Sequence, residues 1–169
     1  ARMIEDPSDI VRKIRSIADY QFGRGIGEVL FPENVTVAFS KRTGRVRRIY
    51  FNQNLLATLR PSDGLFSLTI EGAERIMENA EHKNLWVQVR EDVSQFIGDG
   101  GNVFAKHVIR VDEEIRPGEE VIVIDGEKRV IAVGKALLSG DEMKSFRRGM
   151  AVKVRRGASE RFKKREREE

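Results

Sequence analysis

The stretch "GNVFAKHVIRVDEEIRPGEEVIVIDGEKRVIAVGKALLSGDEM", Gly101–Met143, decides the fold. Short apolar runs alternate with turns written in Pro-Gly, Asp-Gly and Ser-Gly, which is the pattern of strands joined by tight connections. "VFAKHVIRVD", "VIVID" and "RVIAVGKALLS" read as strands, and "EEIRPGEE" reads as the turn between the first two. On the C-terminal side, "GDEMKSFRR" reads as a short helix and "MAVKVRRG" as a closing strand. On the N-terminal side, "LWVQVRED" alternates as a strand, and "VSQFIGDGG" reads as one helical turn ended by glycines. Short strands with glycine-punctuated turns and two brief helices imply a small barrel, closed so that it leaves no free edges.

Further upstream the pattern changes. Ser8–Phe22 reads as an amphipathic helix with Ile10, Val11, Ile14, Ile17 and Ala18 at helical spacing, Ser8 as N-cap and "GRGIG" as its end. Four extended runs follow, "VTVAFS", "RVRRIYFN", "LLATLR" and "LFSLTI", joined by "KRTGR", "NQN" and "PSDG". Connections that short make an antiparallel meander. "EGAERIMENAEHK" returns to helical spacing, so one helical layer on one sheet is the expected closure. The expected class is α+β: a small α/β domain over residues 1–83, a β pseudo-barrel over 84–157, and a charged tail over 158–169 projecting into solvent.

The chain of 169 residues has no cysteine, so these residues supply neither a disulfide framework nor a zinc–thiolate site, as expected of a reducing cytoplasm. No apolar run reaches the length of a membrane span, the first residues lack the apolar core of a signal peptide, and a cytoplasmic protein without a membrane partner is expected. The charged fraction of 34% leans toward a thermophilic source. The formal charge of +4 is modest, but the cations cluster in "KRTGRVRR", "FRRGMAVKVRRG" and "RFKKRER". Clustered cations attract phosphate, whereas interleaved charge merely solvates.

The second unit resembles the PUA domain, the small pseudo-barrel of pseudouridine synthases and archaeosine transglycosylases. The resemblance is carried by "GDGGNVFAKHV", "IRPGEEVIVID", "AVGKALLSGDEM" and "RRGMAVKVRRG". It extends upstream through "IRSIADYQFGRGIGEVLFPE", "SKRTGRVRRIY" and "LLATLRPSDGLFSLTIEGAERI", which are similar to the small α/β domain that precedes PUA in archaeal tRNA-guanine transglycosylase. That family also has a catalytic barrel with aspartates and a cysteine-bound zinc, which these residues do not supply. The resemblance therefore implies the carboxy-terminal half of a split enzyme or a free-standing relative that binds RNA, with a separate transglycosylase chain as a possible partner.

Gly98, Gly100, Gly101 and Asn102 form the first candidate site. Glycines let a backbone approach a ligand closely, yet the same residues serve equally as the end of a helix. The resemblance implies that this corner and the next strand line an RNA groove. Lys106, His107, Arg147, Arg148, Lys153, Arg155 and Arg156 are cations or potential cations suited to phosphate, or else a solvated barrel exterior. In a regular strand Lys153 and Arg155 share one face. Phe104 suits stacking on an unpaired base, or a place in the core. Lys41, Arg42, Arg45 and Arg47 make a basic hairpin that fits an RNA backbone, or an edge strand charged against aggregation.

Catalytic residues, metal ligands and cofactors are not expected. His82 and His107 are the only histidines, and Asp19, Asp63, Asp92, Asp99 and Asp141 sit beside turns or helix ends, where capping accounts for them. The leading expectation is a non-catalytic tRNA-binding protein whose barrel grips the acceptor end. The rival is a module that docks on an RNA-modification or ribosomal assembly.

Overall fold

Proline at the first described position opens α1 (Pro7–Phe22), which buries Ile14, Ala18 and Phe22 at helical spacing. Ser8 lies inside this helix and not at its cap as expected; the described residues are 7–160 of this computed structural model. The "GRGIG" segment turns the chain straight into a second, unexpected helix, α2 (Ile26–Leu30). The Asp19 carboxylate holds this reversal by accepting from the Gly27 N–H at 2.6 Å.

The meander comprises β1 (Thr36–Phe39), β2 (Val46–Phe51), β3 (Asn54–Leu59) and β4 (Phe66–Leu68), all antiparallel in the order β1-β2-β3-β4. Helix α3 (Ile70–Asn79) follows, with the Thr69 Oγ1 accepting from the Gly72 N–H at its start. Ile49, Leu56, Ala57 and Phe66 of the sheet are buried together with Ile76 of α3 and Phe31 after α2. Phe31 and Phe66 meet edge to face at 5.1 Å. Each such side chain, fully buried, contributes roughly 1.5–3 kcal/mol by leaving water.

The second unit has β5 (Trp86–Val89), α4 (Glu91–Gly98), β6 (Val103–Phe104), a 3₁₀ turn (Ala105–His107), β7 (Val108–Val111), β8 (Glu120–Ile124), β9 (Val130–Ala136), α5 (Gly140–Ser145) and β10 (Met150–Gly157). The strand order is β6-β10-β9-β8-β5-β7, antiparallel except for the parallel pair β5–β8. The expected single strand "VFAKHVIRVD" is broken. Its halves β6 and β7 pair with β10 and β5 at opposite margins of the sheet, and the 3₁₀ turn between them brings those margins together. This break closes the pseudo-barrel. The central strand β8 is buried at every position, which explains the apolar run Val121–Ile124 that follows Glu120. The second unit's first helix, α4, has eight residues rather than one turn, because Glu91 and Asp92, expected in the preceding strand, begin it.

Contacts divide the chain into two units, Ala1–Lys83 and Asn84–Glu169. Residues 158–160 are helical and half-buried, so the start of the expected solvent tail is part of the second unit. The rest of that tail, 161–169, lies outside the described residues.

Candidate nucleic-acid interface

The glycine corner is built as a helix terminus. The Gly100 N–H donates to the Ile97 carbonyl at 3.0 Å and the Gly101 N–H to the Phe96 carbonyl at 2.9 Å, the paired bonds of a Schellman cap. Gly100 occupies the left-handed position, with φ of 106°. Gly101 is needed for a different reason: a Cβ there would lie 2.5 Å from the Phe96 ring. The amides of Gly100 and Gly101 are thus occupied, and what the corner presents outward is the Phe96 ring, 55% exposed.

The final strand is joined to this corner. Asn102 Oδ1 accepts from the Val154 N–H at 2.9 Å, and a Cβ on Gly157 would fall 2.1 Å from the Gly98 carbonyl oxygen. Gly98 and Gly100 are in turn covered by the segment after β10, where Ser159 and Glu160 approach them. The structure therefore brings Gly98, Gly100, Gly101 and Asn102 against the end of β10. The same contacts commit Asn102 to holding that strand.

The cations on β10 do not alternate as in a regular strand. Pairing with β9 shifts register between Val154 and Arg156, and this bulge leaves Arg155 and Arg156 exposed in succession. Arg155 reaches across to β8 and donates through its two terminal nitrogens to both carboxylate oxygens of Glu120, one bond measuring 2.7 Å. Glu120 is only 2% exposed. Arg155 is therefore the counter-ion of a buried acid, a structural duty its sequence position does not reveal. Lys153 and Arg156 are exposed and form no ion pair among the described residues, and Lys153 stands opposite the exposed Lys135 of β9.

At the margin closed by the 3₁₀ turn, Phe104 is half-buried and meets His107 edge to face at 5.5 Å. His107 is 6% exposed, and its Nδ1 accepts from the Phe104 N–H at 3.1 Å. Burial pushes its imidazole below the ordinary range, and Lys106 and Arg90 push the same way against the opposing pull of Asp92. His107 is accordingly a neutral brace for the turn. Lys106 is exposed beside it. The Ala105 N–H donates to the Gly149 carbonyl at 2.9 Å, which brings this turn to the segment carrying the exposed Arg147 and Arg148.

In the first unit, Lys41, Arg42 and Arg45 are exposed at the β1–β2 turn. Arg47 is half-buried and donates to the Leu59 carbonyl at 2.7 Å, so it stitches β2 to β3.

Residues 12–83 match the patch-forming domain C2 of tRNA-guanine transglycosylase, and residues 86–158 match the PUA domain. The chain joins a transglycosylase C2 domain to a PUA domain. It is 40% identical over 154 residues to the tRNA-guanine(15) transglycosylase of Methanothermobacter thermautotrophicus, covering 91% of this chain. It is 44% identical over 144 residues to the enzyme of the same name from Thermococcus kodakarensis, covering 85% of this chain. The chain spans about a quarter of these curated relatives, 24% of each. Among solved structures, a hypothetical protein from the hyperthermophilic archaeon Pyrococcus horikoshii superposes with a TM-score of 0.71 at 28% identity, covering 91% of this chain and 92% of that one.

Three features of the C2–PUA pair escape a sequence reading. Phe96 of the PUA domain sits next to Ile97, which takes the buried helix position, so the stronger core signal of Ile97 masks an outward aromatic. Lys135 lies in an apolar run that reads as wholly interior. Arg60 of the C2 domain ends a strand, yet it lines the same cleft as Arg42, Arg45 and Arg47. Among the described residues there is no group of three or more His, Cys, Asp or Glu able to hold a metal, and no helix long and apolar enough to cross a membrane.

Proposed function

We propose that the chain is a non-catalytic, cytoplasmic RNA-holding unit whose PUA barrel grips the acceptor end of tRNA for a transglycosylase catalytic domain supplied outside these residues. The carrying observation is the junction of the glycine corner with β10, where an exposed aromatic ring and the exposed cations Lys153 and Arg156 belong to one connected piece of barrel. Rings of this kind stack on unpaired bases, and unpaired cations beside them neutralise phosphate; together they suit the single-stranded end of an RNA. The names of the relatives support tRNA as that RNA. On this reading Lys106, Arg147 and Arg148 extend the charged margin, while Gly98, Gly100, Gly101 and Asn102 shape the corner and His107 and Phe104 brace the turn.

The test is equilibrium binding of the full chain to tRNA over a range of salt concentrations. Log affinity should fall linearly with log salt, each phosphate contact contributing roughly 0.7–0.9 to the slope. Phe96→Ala should cost a further ~1–3 kcal/mol of binding, the usual value of one stacked base. Binding that ignores both salt and the ring would contradict the proposal and favour a protein-docking module.

A further inference from the structure

The two outer turns of the C2 meander are copies of one another. In Ser40–Arg45 the first residue donates to the sixth carbonyl (Ser40 N–H to Arg45, 2.8 Å) and the fifth donates back to the first (Gly44 N–H to Ser40, 2.8 Å). In Arg60–Leu65 the same bonds recur at 2.8 Å and 2.9 Å. The fourth residue's side chain accepts from the sixth N–H in both, Thr43 from Arg45 and Asp63 from Leu65. The glycines at the fifth position have φ of 71° and 72°. Because the strands run β1-β2-β3-β4, both turns emerge at the same end of the sheet. Between them lies a cleft of about 330 Å³, lined by Arg42, Arg45, Arg47 and Arg60 over Val46, Leu59 and Pro61.

Its chemistry is that of an anion seat. Arg60 forks onto Asp63 at 3.1 and 2.9 Å, and Arg47 is fixed on the Leu59 carbonyl, so these two form a braced wall. Burial pushes the Asp63 carboxyl up, but hydrogen bonds from Arg60 and the Leu65 N–H outweigh that and hold it below the ordinary carboxylate range. Arg42 and Arg45 are exposed, and neither pairs with an acid among the described residues. The Gly44, Gly64, Arg45 and Leu65 amides are spent inside the turns, so affinity must come from guanidinium forks, which match phosphate oxygens in pairs.

We propose that this cleft seats one phosphodiester of a bound RNA backbone, with Arg42 and Arg45 as its clamps and Arg47 and Arg60 as its fixed wall. The proposal rests on the RNA-holding reading and gives the C2 domain a discrete contact point instead of a diffuse charge. A guanidinium meets two phosphate oxygens at once where an ammonium offers a single point charge, so lysine is not equivalent to arginine at these clamps.

The experiment measures salt-dependent tRNA binding of the full chain for the parent, the pair Arg42→Ala with Arg45→Ala, the pair Arg42→Lys with Arg45→Lys, and Arg48→Ala, with melting curves to show that each is folded. Arg48 is the control, since it is exposed on the same strand as Arg47 but alternates to the other face and does not line the cleft. The alanine pair should bind about tenfold or more weaker and lower the salt slope by roughly 1–2. The lysine pair should keep the slope yet remain several-fold weaker, and Arg48→Ala should stay within about twofold of the parent. Lysine restoring full affinity, or Arg48→Ala costing as much as the alanine pair, would overturn the seat while leaving RNA binding intact. A parent that binds no RNA at all would sink the RNA-holding reading, and this proposal with it. Competition by inorganic phosphate or polyglutamate stronger than chloride at equal ionic strength explains would replace the phosphodiester with a free anion or an acidic peptide.

Discussion

Glu120 carries a carboxylate into a strand of apolar neighbours, and the two-pronged bond from Arg155 makes that burial tolerable. Removing one partner of a buried pair costs far more than the pair contributes, because the remaining charge stays desolvated. Arg155→Ala is therefore expected to destabilise the fold by about 3 kcal/mol, with partial rescue by Glu120→Gln, both read by urea denaturation. Arg156→Ala, one residue on and exposed, should change stability by only about 0.5 kcal/mol while weakening RNA binding. His107 gives a second expectation. Its folded-state proton affinity is depressed, so the neutral form is favoured by folding, and that stabilisation is present above the ordinary value of 6.5 and fades as pH falls below it. The melting temperature should drop between neutral pH and about pH 5, and His107→Gln should flatten that drop even if it lowers the neutral-pH value.

Among the elements, α5 is the most explicit in the sequence and β6–β7 the least. "SGDEM" spells a capping box, and the Ser139 Oγ accepts from the Glu142 N–H while Glu142 Oε1 accepts from the Ser139 N–H. Ser139→Ala should cost about 1 kcal/mol in denaturant midpoint measurements. The meander was legible because its turns are short and its strands alternate. "VFAKHVIRVD" misleads because β-branched and aromatic residues, Val103–Phe104 and Val108–Val111, stand on both sides of the break; the 3₁₀ turn is specified by bonds that the residue pattern does not display, from the Phe104 N–H to His107 Nδ1 and from the Ala105 N–H to the Gly149 carbonyl. The bulge at Arg155 is hidden for the same reason, since its cause is a partner strand and an acid 35 residues away. At the corner, the glycines were readable as special. Which of them needs φ above zero and which needs space for Phe96 was not, because the second depends on a ring packed across the turn.

Across the whole molecule, a formal charge of +4 is too small to explain RNA affinity by itself, so binding has to depend on where unpaired cations stand. Two separate groups meet that condition: the twin-turn cleft in the C2 domain, and the β10 corner of the PUA domain with its exposed ring. Neither group contains an arranged nucleophile and base. The chain mixed with tRNA and labelled guanine is accordingly expected to exchange no base, and turnover by a clean preparation would show a catalytic site that the proposal lacks. The most direct test of the central claim compares the affinity of the chain for intact tRNA with that for the same tRNA trimmed of its single-stranded 3′ end, at one fixed salt concentration. A barrel that grips the acceptor end predicts a loss of about tenfold or more on trimming, corresponding to about one stacked base. Equal affinity for the two RNAs would contradict it.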